Sequence, residues 1–415
     1  MTLVSKISVL LAALFSAGAC TLDRGDGLMC SAITGANAAT VAQSDFDPTT
    51  TTRLPIMAMS ADEVAPSMAD ALRQSVGAEL RPAAATRTSR KPIVIDVLSL
   101  SAGGQYGSFG AGFLRGWSQN PKTPRPKFDL VTGVSAGGML APVAFSGNRH
   151  DAALDVFRGL SKKGVFKGRP VFALGNSSSF FDPAPLEKTL KTLLTDGMIA
   201  DVAKQHKTGA RLLVMAVDLD TTRATVFDLG EMAASDLPLT QRRNCMAEVM
   251  LASAAIPGVF PPRNIDGTLY VDGGLRDQIF LREVETARTI LARDTGRAVK
   301  IRATIVVNGS LKVPEGKVKD SLIGYAERSL YTLSDEVLRD SIIETLSFAE
   351  KNSNWEVQGV IAELPVEDIC PLGETVGTFD ACVTTALFDS GVKLGKTAPV
   401  DFMTSAELYA LANAY

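Results

Sequence analysis

The stretch Phe128-Asp129-Leu130-Val131-Thr132-Gly133-Val134-Ser135-Ala136-Gly137-Gly138 decides the fold class. Phe128 to Thr132 is a short apolar run that reads as a buried strand. The G-x-S-x-G of Gly133 to Gly137 follows it directly and opens an apolar helical pattern. Strand, glycine-flanked serine and helix in that order make a nucleophile elbow. The glycines relieve crowding in a strained turn, and the turn lifts the serine hydroxyl from the end of a sheet to a helix N-terminus. A G-x-S-x-G arising by chance in a chain with 35 glycines would not need a strand and a helix around it.

Outward from this point, strands and helices alternate. Ile93 to Leu98 is a continuous aliphatic run of the kind found in strands buried on both faces. A helix is expected near Ser108 to Trp117, with further strands at Arg211 to Val217, Ala224 to Phe227 and Ile301 to Val307. The alternation predicts an α/β fold with a mostly parallel central sheet and helices on both faces. Helical patterns recur from Leu322 to Ala349, and one strand-like run covers Val357 to Leu364.

Two more clusters carry chemistry. Ser101-Ala102-Gly103-Gly104-Gln105-Tyr106-Gly107 lies between the first strand and its helix, where small residues expose backbone N–H groups to a phosphate or an oxyanion. A dinucleotide site would want G-x-G-x-x-G, but Ala102 stands at the first glycine position, and no Gly-Lys-Ser/Thr ending makes a Walker loop. No nucleotide is therefore expected. Val271-Asp272-Gly273-Gly274 offers either an ordinary Asp-Gly turn or a general base that its glycine neighbours let approach closely. Histidine is scarce: only His150 and His206 exist. His150 reads as a loop residue and His206, between lysines, as solvated, so a Ser-His-Asp triad is the weaker alternative. Asp182, before Pro183, reads as a helix N-cap.

Together the three clusters resemble the patatin-like phospholipase family, in which a glycine-rich loop, a G-x-S-x-G serine and a D-G-G or D-G-A aspartate occur in that order. Phe109-Gly110-Ala111-Gly112 and Ala252-Ser253-Ala254-Ala255-Ile256-Pro257-Gly258 also look like family segments, and the resemblance runs from about Ile95 to Leu281. It implies Ser135 as nucleophile and Asp272 as base in a Ser-Asp dyad acting on acyl esters of lipids. Gly103 and Gly104 would form the oxyanion hole, with Gly107, Gly133, Gly137, Gly273 and Gly274 as motif glycines and no cofactor. Two departures are Ala102 for a family glycine and Tyr106 where many members carry Arg or Lys, which weakens "phospholipase" more than "esterase". An acyltransferase would share the dyad, and a non-catalytic lipid-binding envelope protein would keep the fold without the reaction.

Composition sets the outer limits. The chain has 415 residues, 46% hydrophobic and 21% charged, with a formal net charge of −3, which suits a globular protein and gives no electrostatic reason to expect nucleic acid. Arg242-Arg243 reads as a solvated face. Lys6, the apolar run Ile7 to Phe15 and Ala17-Gly18-Ala19 read as a signal peptide over residues 1–19. Cys20 follows, and A-G-A-C resembles a lipoprotein signal although Ala17 stands where Leu is usual. An exported envelope protein with a lipid anchor at Cys20, facing a membrane surface, is expected, with simple secretion to the periplasm or medium as the alternative. Residues 20–91 read as a flexible tether with one amphipathic helix from Ser60 to Leu80, 92–310 as the catalytic domain, and 311–415 as a C-terminal extension packed on the core. In an oxidising compartment disulfides are possible among Cys30, Cys245, Cys370 and Cys382; Cys370 and Cys382 are expected to pair across a short loop, while Cys245 reads as a core residue. No spacing suggests a metal site.

Overall fold

The computed structural model describes residues 27–30, 58–60, 69, 92–169, 178–311, 317–318, 320–362, 369–370 and 379–414. The signal segment, Cys20 and all but Ala69 in the body of the expected Ser60 to Leu80 helix lie outside them. In chain order the strands are β1 (Ala58–Ser60), β2 (Ile93–Leu100), β3 (Leu130–Val134), β4 (Lys167–Gly168), β5 (Phe181–Asp182) and β6 (Arg211–Asp218). They continue with β7 (Ala224–Asp228), β8 (Arg263–Ile265), β9 (Thr268–Asp272), β10 (Val299–Val307), β11 (Trp355–Ile361) and β12 (Met403–Thr404). One sheet runs β1-β7-β6-β3-β2-β10-β11-β12, with β9 also pairing β6, and β4 with β5 forms a separate hairpin.

The central strands β6, β3, β2, β10 and β11 are mutually parallel, and antiparallel strands occupy both sides. Side chains alternate across the sheet as a period of two requires. On β6, Leu212, Val214 and Ala216 enter one core cluster, while Leu213 and Met215 enter the other. The first cluster is capped by helices such as Gly107–Ser118, Ala136–Ser146 and Leu239–Ser253, and the second by Arg282–Thr295 and Leu322–Glu350. Both faces of the sheet are thus covered, which is why its strands read as continuous apolar runs.

Two sequence boundaries shift. The stretch read as a tether is pinned to the catalytic unit twice: β1 pairs β7 antiparallel, and Cys30 is disulfide-bonded to Cys245 with its N–H donated to Asp266 at 2.7 Å. Cys245 is buried in the core, as expected, and its sulfur is bonded to Cys30. Its partner lies 215 residues away, and a loop that long is worth about 5 kcal/mol in the chain-entropy picture. Cys370 and Cys382 are also bonded, with a Cα–Cα distance of 5.9 Å.

The C-terminal residues do more than pack on the core. β11 and β12 extend the same sheet, and the helix Ala381–Lys396 lies against Gly107–Ser118 through glycines on both partners. A Cβ on Gly112 would stand 2.0 Å from the Phe388 carbonyl oxygen, and one on Gly391 would stand 2.2 Å from that of Phe109. Only glycine lets the two backbones come this close.

Candidate active site

Ser135 is the first residue after β3 and precedes the helix Ala136–Ser146, with φ 52° and ψ −119°. A positive φ at a non-glycine residue is strained, and the surroundings hold it there. A Cβ at Gly137 would lie 2.1 Å from the Leu100 carbonyl oxygen, so the turn closes against β2 only with glycine at that position. The Ser135 Oγ donates to Asp272 Oδ2 at 2.8 Å. Asp272 ends β9, which pairs with β6 at Ala216, so the sheet register brings together residues 137 positions apart.

Asp272 is held from three sides. Its N–H donates to the Ala255 carbonyl at 3.0 Å, and its Oδ1 accepts the Gly274 N–H at 2.7 Å. Its carboxyl is pushed up to about 7 by burial, against the opposing pull of hydrogen bonds from Gly274 and Ser135. A carboxylate with that affinity for protons is matched to general base work near neutral pH.

The glycine loop meets both motifs. Gly104 to Tyr106 form a short 3-10 turn at the end of β2, beyond which the helix Gly107–Ser118 begins. A Cβ on Gly107 would stand 2.8 Å from the Cβ of Ala136, and one on Gly274 would stand 3.4 Å from that of Ala102. The three clusters separated in sequence therefore converge on one point, at the C-terminal ends of parallel strands where open α/β sheets place their sites. Gly104 is exposed and has open space above its α-carbon, as a loop facing a ligand requires.

Two supporting residues escaped the sequence reading. Asn308, fully buried after β10, donates its N–H to Ser101 Oγ and its Nδ2 to the Ser101 carbonyl, both at 2.8 Å. Its own carbonyl packs so tightly on Gly103 that a Cβ there would lie 1.2 Å away. Ser253, also fully buried, accepts the Ser135 N–H at 2.8 Å. An asparagine closing a strand gave no local signal, and Ser253 stood out only as part of a family-like segment.

Neither histidine bonds to the dyad. His150 Nε2 lies 2.6 Å from Asp201 Oδ2, and His206 Nδ1 lies 3.6 Å from Asp228 Oδ1. His206 is not solvated between its lysines, because it faces Asp228 from the last turn of the helix Asp196–His206. Arg242 and Arg243 likewise turn inward, bonding the carbonyls of Ala233 and Leu194. Asp182 Oδ1 accepts from the Ala184 N–H at 3.0 Å, at the start of the helix Ala184–Leu193, where Pro183 holds the N-cap position. Among the described residues, no group of three or more His, Cys, Asp or Glu could hold a metal ion, and no helix is long and apolar enough to cross a membrane.

Residues 98–284 match the model of the patatin-like phospholipase family. A cGAMP-activated phospholipase from Pseudomonas aeruginosa is 27% identical over 266 residues, 63% of this chain and 77% of that protein. The elbow, the aspartate turn and the glycine loop all fall within the matched span, so residues 98–284 are similar to a patatin-like phospholipase domain, and the similarity supports a lipid ester hydrolase.

Proposed function

We propose that the protein cleaves acyl esters of lipids through a Ser135–Asp272 dyad. The observation that carries this reading is the 2.8 Å hydrogen bond from Ser135 Oγ to a buried carboxylate with no histidine between them. Asp272 takes the proton as Ser135 Oγ attacks the ester carbonyl, and backbone N–H groups of Gly103 and Gly104 hold the oxyanion. The alcohol or lysolipid leaves with a proton returned by Asp272. Asp272 then draws a proton from water, whose oxygen attacks the acyl-enzyme carbonyl, and passes that proton to Ser135 Oγ as the carboxylic acid leaves.

The pH profile and a serine-directed phosphonate test this together. Because the base works ionised and its affinity for protons is raised to about 7, kcat/KM should climb with pH and reach half its plateau near 7. The phosphonate should label Ser135 with the same midpoint. Glu231 is also pushed up to about 7 by burial, beside Asp228, so Glu231→Gln serves as the control and should leave the midpoint in place. A midpoint near 4, or one that moves with Glu231, would assign the titration elsewhere.

From the sequence alone we further infer export and a lipid anchor at Cys20. The Cys20→Ala variant should leave the membrane fraction or stall before signal cleavage; unchanged membrane association would exclude the anchor.

A further inference from the structure

Ser253 ends the helix Leu239–Ser253 and is fully buried. Its Oγ accepts the Ser135 N–H at 2.8 Å and donates to the Met215 carbonyl at 2.7 Å. A hydroxyl has one proton to give, and here it is given in a fixed direction. The two groups it joins belong to different parts of the site. Ser135 is the strained residue of the elbow, with φ 52°. Met215 lies on β6 opposite Val134 of β3, and the neighbouring Ala216 is in register with Asp272 of β9. The aspartate turn also rests on Met215, since a Cβ on Gly273 would stand 2.5 Å from its carbonyl oxygen. One hydroxyl therefore links the turn that presents the nucleophile to the strand that sets the height of the base.

We propose that Ser253 is a positioning residue for the reaction: its hydroxyl fixes the distance and alignment between Ser135 Oγ and Asp272 Oδ2. The inference rests on the dyad described above. It has a second consequence. The Ser135 N–H is consumed by Ser253 Oγ, so the nucleophile's own backbone does not serve as an oxyanion donor, and that task stays with the glycine loop. Removing the hydroxyl leaves a buried N–H and a buried C=O without their shared partner, and the elbow relaxes away from the aspartate.

The test is steady-state kinetics on a soluble ester with Ser253→Ala, beside Ser135→Ala and the wild type, with melting temperature and circular dichroism recorded for each. A misplacement of the reacting atoms by about 1 Å can cost about 100-fold, so kcat for Ser253→Ala should fall by about 10- to 100-fold while KM stays within about threefold. The midpoint of the pH profile should also rise, because the Ser135 hydrogen bond that holds the Asp272 carboxyl down is weakened. A residue that merely fills space would lower the melting temperature without moving that midpoint. Ser253→Cys, which keeps a weak donor and acceptor, should recover part of kcat. A folded Ser253→Ala with wild-type kcat and midpoint overturns the proposal. Should the alanine variant fail to fold, Ser253→Cys decides it: a lowered kcat with a raised midpoint supports the role, and wild-type values remove it. Retained activity in Ser135→Ala would instead remove the dyad on which the role depends.

Discussion

Ser135→Ala should lose about 10,000-fold or more in kcat while remaining folded. The substitution removes one oxygen from a residue that is only 5% exposed and leaves its backbone bonds untouched. The N–H still donates to Ser253, and the helix Ala136–Ser146 still starts after it, so the unusual φ is kept by the same contacts. Alanine is no worse than serine at that φ. Only the Oγ proposed to form the acyl-enzyme is gone, and the residual rate should come from the glycine loop acting on bound ester and water. The measurement is ester hydrolysis by purified protein with a melting curve from the same preparation. Activity above about one per cent of wild type, with contaminating esterase excluded by phosphonate titration, would remove Ser135 as nucleophile.

Asp272→Asn should be comparably inactive, for a different reason. The amide can still accept the Gly274 N–H through Oδ1, so the turn keeps its shape, but it cannot take a proton from Ser135. Stability supplies an independent sign. The Asp272 carboxyl binds its proton more tightly in the folded state, raised from 3.8 to about 7, so it contributes stability at acid pH that is lost as pH rises through about 7. Asparagine does not titrate. The stability of wild type relative to Asp272→Asn should therefore decline between about pH 4 and 8 and then level off, as urea unfolding at several pH values will read. The double substitution His150→Ala with His206→Ala should keep most activity, since both side chains face Asp201 and Asp228. A folded double variant without activity would replace the dyad by a triad.

What could be read in the sequence was what is local. The run from Phe128 to Gly138 carries strand, turn and helix in eleven consecutive residues, so its chemistry and its place in the fold were legible together. Asp272 was legible because its glycines travel with it. Ser253 and Asn308 were not, because their roles exist only across separations of 118 and 207 residues, and a serine in a helix or an asparagine after a strand has many uses. Cys30 sits in a segment of linker composition, and nothing near it points to a partner 215 residues on. His206 was misread for the same reason: its lysine neighbours are adjacent in sequence, whereas Asp228 is adjacent in space.

The glycine contact between the helices Gly107–Ser118 and Ala381–Lys396 also has a bearing on timing. Every residue of the three motifs has been synthesised once the chain reaches Gly274, yet the partner that seats the helix behind the glycine loop is still unmade. At about 5–20 residues per second, translation needs several more seconds to deliver it. Until then the glycine stripe of the first helix lacks the backbone it packs against in the folded chain. This contact behind the glycine loop is thus made only near the end of synthesis.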